Sequence, residues 1–184
     1  MYGPPVDLSF KDISRVTGAL SEAPRCGVRP CQTNSKGKYL SCSLRLSYNS
    51  IADLSGLHHA LDHFLAQPLK LGWLDLSFNK LMSIDLVLCE LTELRVLYLH
   101  GNAIWNLSEV DKLGRLQRLH TITLHGNAIE TEKGYSVCHG SVTVWQFYDG
   151  RKSPEHGCQK MDSWCGNSYK QIHNTMNYIK GPIM

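Results

Sequence analysis

Nine histidines and seven cysteines are the residues of this chain with the most chemistry to offer. His59 and His63 stand four apart on a stretch with helical periodicity, with His58 adjacent and Asp62 close by. Two imidazoles on one helix face can begin a metal site, but a site needs a third ligand and supporting hydrogen bonds. No glutamate follows His59 in the hydrolase pattern His-Glu-x-x-His, so solvated helix residues are the expected reading. The cysteines fall at 26, 31, 42, 89, 138, 158 and 165, an odd number without a Cys-x-x-Cys pair. Spacings of five and seven suit neither a zinc knuckle nor a disulfide scaffold, which predicts reduced thiols. Cys89, between Leu88 and Leu91, reads as a small core residue. Ser35-Lys-Gly-Lys38 lacks the glycine spacing of a phosphate loop, and there is no Gly-x-Ser-x-Gly elbow. The expectation is no enzyme, no metal, no cofactor and no small-molecule substrate.

Binding is the chemistry that remains. Three sets of residues recur with strand-like spacing: Ser43, Trp73, Val96 and Thr121; Arg45, Asp75, Tyr98 and Thr123; Ser47, Ser77, His100 and His125. Placed on one sheet, they put aromatic rings beside guanidinium groups, the residue types that dominate binding hot spots. The residues expected to touch a protein partner are Arg45, Trp73, Asp75, Arg95, Tyr98, His100, Thr123 and His125. The bland alternative makes them ordinary solvated strand residues, with Trp73 partly covered by the amino-terminal segment. His100 and His125 each precede a glycine in a repeated turn, so repetition alone accounts for their register.

What positions them is a repeat. Leu71-Gly-Trp-Leu74-Asp-Leu76-Ser-Phe-Asn79-Lys-Leu81, Leu94-Arg-Val-Leu97-Tyr-Leu99-His-Gly-Asn102-Ala-Ile104 and Leu119-His-Thr-Ile122-Thr-Leu124-His-Gly-Asn127-Ala-Ile129 align without a gap. Leu44-Arg-Leu46-Ser-Tyr-Asn49-Ser-Ile51 is a partial copy, with Ser41 at the first leucine position. The pattern is L-x-x-L-x-L-x-x-N-x-L. Its alternating leucines predict short strands with one buried face, at 44–46, 74–76, 97–99 and 122–124. The asparagine falls where the chain turns inward, and its amide can satisfy backbone groups of the turn. One coil cannot cover its own apolar face, so coils must stack. The fold class is therefore α/β: a solenoid of about four coils, with a short parallel sheet on the concave face.

Asn79 to Asn102 is 23 residues and Asn102 to Asn127 is 25, which predicts tight convex connections, 3₁₀ or a few helical turns. Ser108-Glu-Val-Asp111 reads as a helix start. Asn49 to Asn79 is 30 residues, and Leu54, Leu57, Leu61 and Leu65 within it predict a longer helix over about 54–66, ending before Pro68. Val6, Leu8, Phe10 and Ile13 are expected to lie across the first coil as a cap, and 33–38 to be flexible. The organisation expected is an extension and cap over 1–40, repeats over 41–130, a partial carboxyl-terminal cap over 131–149 and a weakly ordered tail over 150–184.

Several stretches together resemble a known family, the short-repeat subclass of leucine-rich-repeat proteins. They are Pro4-Pro5-Val6-Asp7-Leu8-Ser9-Phe10, Glu22-Ala-Pro24-Arg25-Cys-Gly27-Val28-Arg29-Pro30, Trp73-Leu-Asp-Leu-Ser-Phe-Asn79, Val96-Leu-Tyr-Leu-His-Gly-Asn102 and Leu124-His-Gly-Asn127. The repeats are generic to the family, whereas the two proline-containing stretches narrow the resemblance to one small member over roughly 4–135. The resemblance implies a non-enzymatic interaction protein of the cytoplasm. Members of the subclass include phosphatase regulators and an axonemal dynein light chain, which implies a ciliary role as an extension. After Glu132-Lys-Gly-Tyr135 the match departs from the family's cap, as a divergent or frame-altered end would.

The chain is 42% apolar and 19% charged with a formal charge of +3, too mild a balance to argue for nucleic acid or an anionic membrane. No run approaches the roughly 18 apolar residues of a membrane span, and no basic stretch leads into an apolar one at the amino terminus. The Asn106-Leu-Ser108 acceptor sequence is then irrelevant in the cytosol. Two readings of function follow: an adaptor or scaffold binding a protein on its concave face, or a structural subunit of a large assembly such as a ciliary axoneme.

Overall fold

The computed structural model describes residues 3–131 and the short strand Val144–Trp145, all within the compact unit Met1–Arg151. Expectations for 131–149 and 150–184 fall, apart from that strand, outside the described residues.

The repeated leucines form a stacked solenoid. Strands β1 (Val6–Asp7), β2 (Ser43–Arg45), β3 (Trp73–Asp75), β4 (Val96–Tyr98), β5 (Thr121–Thr123) and β6 (Val144–Trp145) make one sheet in sequence order. The pairs from β1 to β5 are parallel and in register, with Leu44, Leu74, Leu97 and Ile122 side by side. β6 joins β5 antiparallel. Each strand begins one residue before the predicted position. Pairing also runs past each strand, because the following leucine still donates to the next coil: Leu46 to Asp75 at 2.8 Å, Leu76 to Tyr98 at 2.9 Å and Leu99 to Thr123 at 3.0 Å.

Leu76, Leu97, Leu99, Ile122 and Leu124 are all at most 1% exposed, as the alternation requires. They meet a second row made by Ile51, Leu81, Ile104 and Ile129, the last apolar position of each copy. The connections outside the sheet are mostly 3₁₀, at Leu86–Glu90, Leu107–Arg115 and Ala128–Thr131. Leu107–Arg115 is capped two residues earlier than expected: the Asn106 side chain, not that of Ser108, accepts from the Ser108 N–H at 2.9 Å.

The asparagines join coil to coil. Asn79 Nδ2 donates to the carbonyls of Leu46 (2.9 Å) and Leu76 (3.1 Å), while its Oδ1 accepts from Ile51 N–H at 3.0 Å. Asn102 repeats the pattern with Leu76, Leu99 and Leu81, and Asn127 with Leu99, Leu124 and Ile104. Asn49 does the same toward Leu8, Leu46 and Ile13. The segment Val6-Asp-Leu-Ser-Phe-Lys11-Asp-Ile13 is therefore a degenerate first coil, with Lys11 in the asparagine place. Val6, Leu8 and Ile13 are buried, but Phe10 is turned outward, 60% exposed.

The longer second connection holds the α-helix α1 (Leu57–Phe64), shorter than the 54–66 span expected. Gly56 at φ +83 stops it at the front, and Leu65 is drawn into extended pairing with Tyr39 at the back. The 3₁₀ turn Val16–Ser21 packs on α1 and buries Val16 and Ala19. Residues 33–38, expected as flexible, form a tight turn: Asn34 Oδ1 accepts from Lys36 and Lys38 N–H, and Lys38 Nζ reaches the Asp62 carbonyl at 2.6 Å. Cys89 is half-buried rather than core, its thiol donating to the Lys112 carbonyl at 3.3 Å.

Candidate functional site: the outer face of the sheet

Residues between the strand leucines point away from the core, and parallel register brings their columns together. Arg45 on β2 is the organising cation. Its Nη1 lies 3.4 Å from Asp7, its Nε 3.4 Å from Asp75, and its guanidinium sits 5.4 Å from the Trp73 ring centroid. Trp73 meets Tyr98 edge-on at 5.5 Å, Tyr98 lies 6.0 Å from His100, and His100 stacks on His125 at 4.5 Å with planes 10° apart. Six of the expected residues thus form or border a continuous tract: Arg45, Trp73, Tyr98, His100 and His125, with Arg95 exposed just before β4.

Asp75 and Thr123 do not fit the expectation of exposed contact residues, being 7% and 6% exposed. Asp75 Oδ1 is occupied by the Ser77 N–H at 3.0 Å and the Ser77 hydroxyl at 2.6 Å, with Arg45 across its other side. Thr123 Oγ1 contacts His100 Nδ1 at 2.7 Å. Alternation gives the direction of a side chain, but neighbours decide its coverage. Asp75 and Thr123 hold Arg45 and His100 in place.

Burial disfavours a charged His100, and the neighbouring His125 adds repulsion. Together they push its pKa below the ordinary value, with Asp75 opposing. Among the described residues, no group of three or more His, Cys, Asp or Glu converges as a metal ion would need. His58 instead bonds to Glu90 Oε2 at 2.8 Å. The described cysteines, Cys26, Cys31, Cys42 and Cys89, are free thiols.

A second aromatic series adjoins the first. Phe10, Tyr48 and Phe78 stack at 4.4 Å spacing, the Arg25 guanidinium lies 5.5 Å from the Phe10 centroid, and Phe78 meets His100 edge-on at 5.1 Å. All three sit directly before the asparagine position with left-handed backbone, at φ 57, 55 and 52. Such backbone costs a bulky residue roughly 1–2 kcal/mol. Stacking returns about 0.5–1.5 kcal/mol per pair. Gly101 and Gly126 fill this place in the later coils, and the Phe78 ring occupies the space a Cβ on Gly101 would need, 2.7 Å from Cδ1. The signal was present in the sequence: Val6-Asp-Leu-Ser-Phe10 and Leu74-Asp-Leu-Ser-Phe78 differ at one residue.

The geometry offers a continuous series of aromatic rings with guanidinium groups held against it, which is suited to binding. Among the described residues no helix is long and apolar enough to cross a membrane. No family model matches the chain. A bovine protein, leucine-rich repeat-containing protein 51, is 51% identical over 132 residues, 72% of this chain and 69% of the relative. The rat and human proteins of that name are each 48% identical over the same span, again with 69% of the relative covered. Among solved structures, an internalin from Listeria monocytogenes overlaps at a TM-score of 0.35 and 25% identity, across 46% of this chain and 21% of that one. With two-thirds of these relatives' length matched at about half identity, the chain belongs to the leucine-rich repeat-containing protein 51 family.

Proposed function

We propose that this chain is a non-enzymatic protein-interaction module, an adaptor or scaffold of the cytoplasm whose partner lies across the outer face of the sheet. The supporting observation is the continuous tract from Arg45 over Trp73 to Tyr98, His100 and His125, held by buried polar neighbours. Rigid aromatic anchors lose little freedom on binding, which lowers the ordering cost that is set against affinity. Replacing Trp73 and Tyr98 together by alanine leaves thermal melting nearly unchanged and weakens partner binding by at least ten-fold, about 1.4 kcal/mol. Paired melts and pull-downs with the double variant test this. Undiminished partner recovery from a folded variant sinks the sheet-face reading.

A second reading, a structural subunit within a large assembly such as a ciliary axoneme, is favoured by apolar surface away from the sheet. Met82 and Trp105 occupy equivalent places in adjacent coils, each 60% exposed, with Leu86 at 50%. A subunit gripped on several sides needs such additional contacts. Recovery of the chain with axonemal fractions, lost on Trp105→Ser and Met82→Ser but retained on Trp73→Ala, supports this second reading over the adaptor.

A further inference from the structure

At the edge of the sheet where β3 and β4 begin lies a cleft of about 550 Å³, walled by Leu69, Lys70, Gly72, Glu93 and Arg95, with Thr92 and Cys42 completing it. Its charges are unevenly satisfied. Glu93 is bound to Arg118. On the adjoining sheet face, Asp7 and Asp75 share Arg45 and also accept from Ser9 and Ser77. The cleft's one lining carboxylate and these two on the adjoining face are thus committed within the molecule. Lys70 and Arg95 are both exposed, and neither side chain has an ion pair or hydrogen bond among the described residues. Leu69 stands 74% exposed beside Lys70, and Gly72 of the cleft wall is followed directly by Trp73, the first residue of β3.

We infer that the cleft binds an acidic, apolar-containing segment of a protein partner, with carboxylates on Lys70 and Arg95 and an apolar side chain against Leu69 and Trp73. The inference rests on the sheet-face reading and gives its partner a chemistry. Complementary charge sets register and association rate, while the apolar anchor supplies affinity. A guanidinium such as Arg95 also favours a bidentate carboxylate contact. Nucleic acid fits less well. Two cations neutralise few phosphates of a continuous backbone.

The test uses the full chain and fluorescent peptides of about twelve residues, in which Asp and Glu flank Leu and Trp. A matched peptide has Asn and Gln at every acidic position. By anisotropy the acidic peptide binds roughly ten-fold or more tighter than its amide counterpart, and its affinity falls as salt rises from about 50 to about 300 mM. Lys70→Glu with Arg95→Glu abolishes the preference, and Lys70→Gln with Arg95→Gln reduces it; unaltered melting of either variant certifies the fold. Equal binding of both peptides, no binding of the acidic one, or an unchanged preference in the charge-reversed variant overturns the inference. Tighter binding of a single-stranded RNA of similar length also overturns it. Failure of the two readings is separable. If Trp73→Ala with Tyr98→Ala spares acidic-peptide binding while charge reversal removes it, the carboxylate contacts on Lys70 and Arg95 stand, the Trp73 anchor falls, and the aromatic face is not the interface. If the aromatic variant loses the partner but both peptides bind alike, the face stands and the acidic specificity falls.

Discussion

Asn79 and Leu46 belong to different coils, yet the Asn79 amide donates to the Leu46 carbonyl at 2.9 Å as readily as to Leu76 in its own. A side chain of one coil thereby completes the backbone of the coil before it. Asn79→Ala leaves the Ile51 N–H and the two carbonyls short of a partner in a site where Asn79 is 8% exposed. The expected cost is about 2–4 kcal/mol, read by urea denaturation. Asn34→Ala, at a surface turn, costs less than about 1 kcal/mol and serves as the comparison.

Leu97 lies at the middle of the parallel sheet, paired with Leu74 on one side and Ile122 on the other, and is fully buried. Truncation to alanine opens a cavity that neighbouring coils cannot close without breaking register. Leu97→Ala costs about 2–5 kcal/mol at equilibrium. A loss under about 1 kcal/mol contradicts the packing described.

Gly101 answers Phe78 sterically. A methyl group at 101 meets the Phe78 ring at 2.7 Å on a backbone already at φ +67. Gly101→Ala destabilises by about 1–3 kcal/mol. Phe78→Ala removes the clash but not the backbone strain, so the double variant is more stable than the sum of the singles by roughly 1 kcal/mol. Strict additivity shows that the ring does not lie over Gly101.

Acid weakens the fold through His100. Its folded-state pKa lies below the ordinary value of 6.5, chiefly through burial and secondarily through His125. The unfolded chain therefore takes up the proton first as pH falls. Stability is complete above pH 6.5 and declines as pH falls from there toward the folded-state value. His100→Gln flattens that part of the slope between about pH 7 and about pH 5, measured by denaturant midpoints at each pH. A slope left unchanged by His100→Gln assigns the acid sensitivity elsewhere.

The repeat was legible because leucine spacing and asparagine placement are set by coil geometry, and each copy repeats the same evidence. Val6–Ile13 escaped recognition as a coil because Lys11 stands where the other copies place asparagine. Its Val-Asp-Leu-Ser-Phe run nevertheless matches the third coil. The α1 boundaries were overextended because leucine periodicity continues through Leu54 and Leu65, whereas Gly56 and the Tyr39 pairing decide where the helix ends. At the candidate face, residue direction was legible and coverage was not. Asp75 and Thr123 point outward as spaced, but Ser77, Arg45 and His100 close over them, and these contacts depend on neighbouring coils that alternation within one strand does not encode. The Phe10, Tyr48 and Phe78 stack has the same origin, a relation between coils.

The backward reach of the asparagines gives the molecule a direction in which it can grow. Each amide needs only the coil preceding it, and Lys11 ends the series at the amino-terminal side. Duplicating a whole coil anywhere between Asn49 and Asn127 would preserve every link of the ladder. A shift of one residue between a strand leucine and its asparagine would break two. The length of the stack is therefore free to change by entire coils, while the spacing inside the eleven-residue signature of each coil is not.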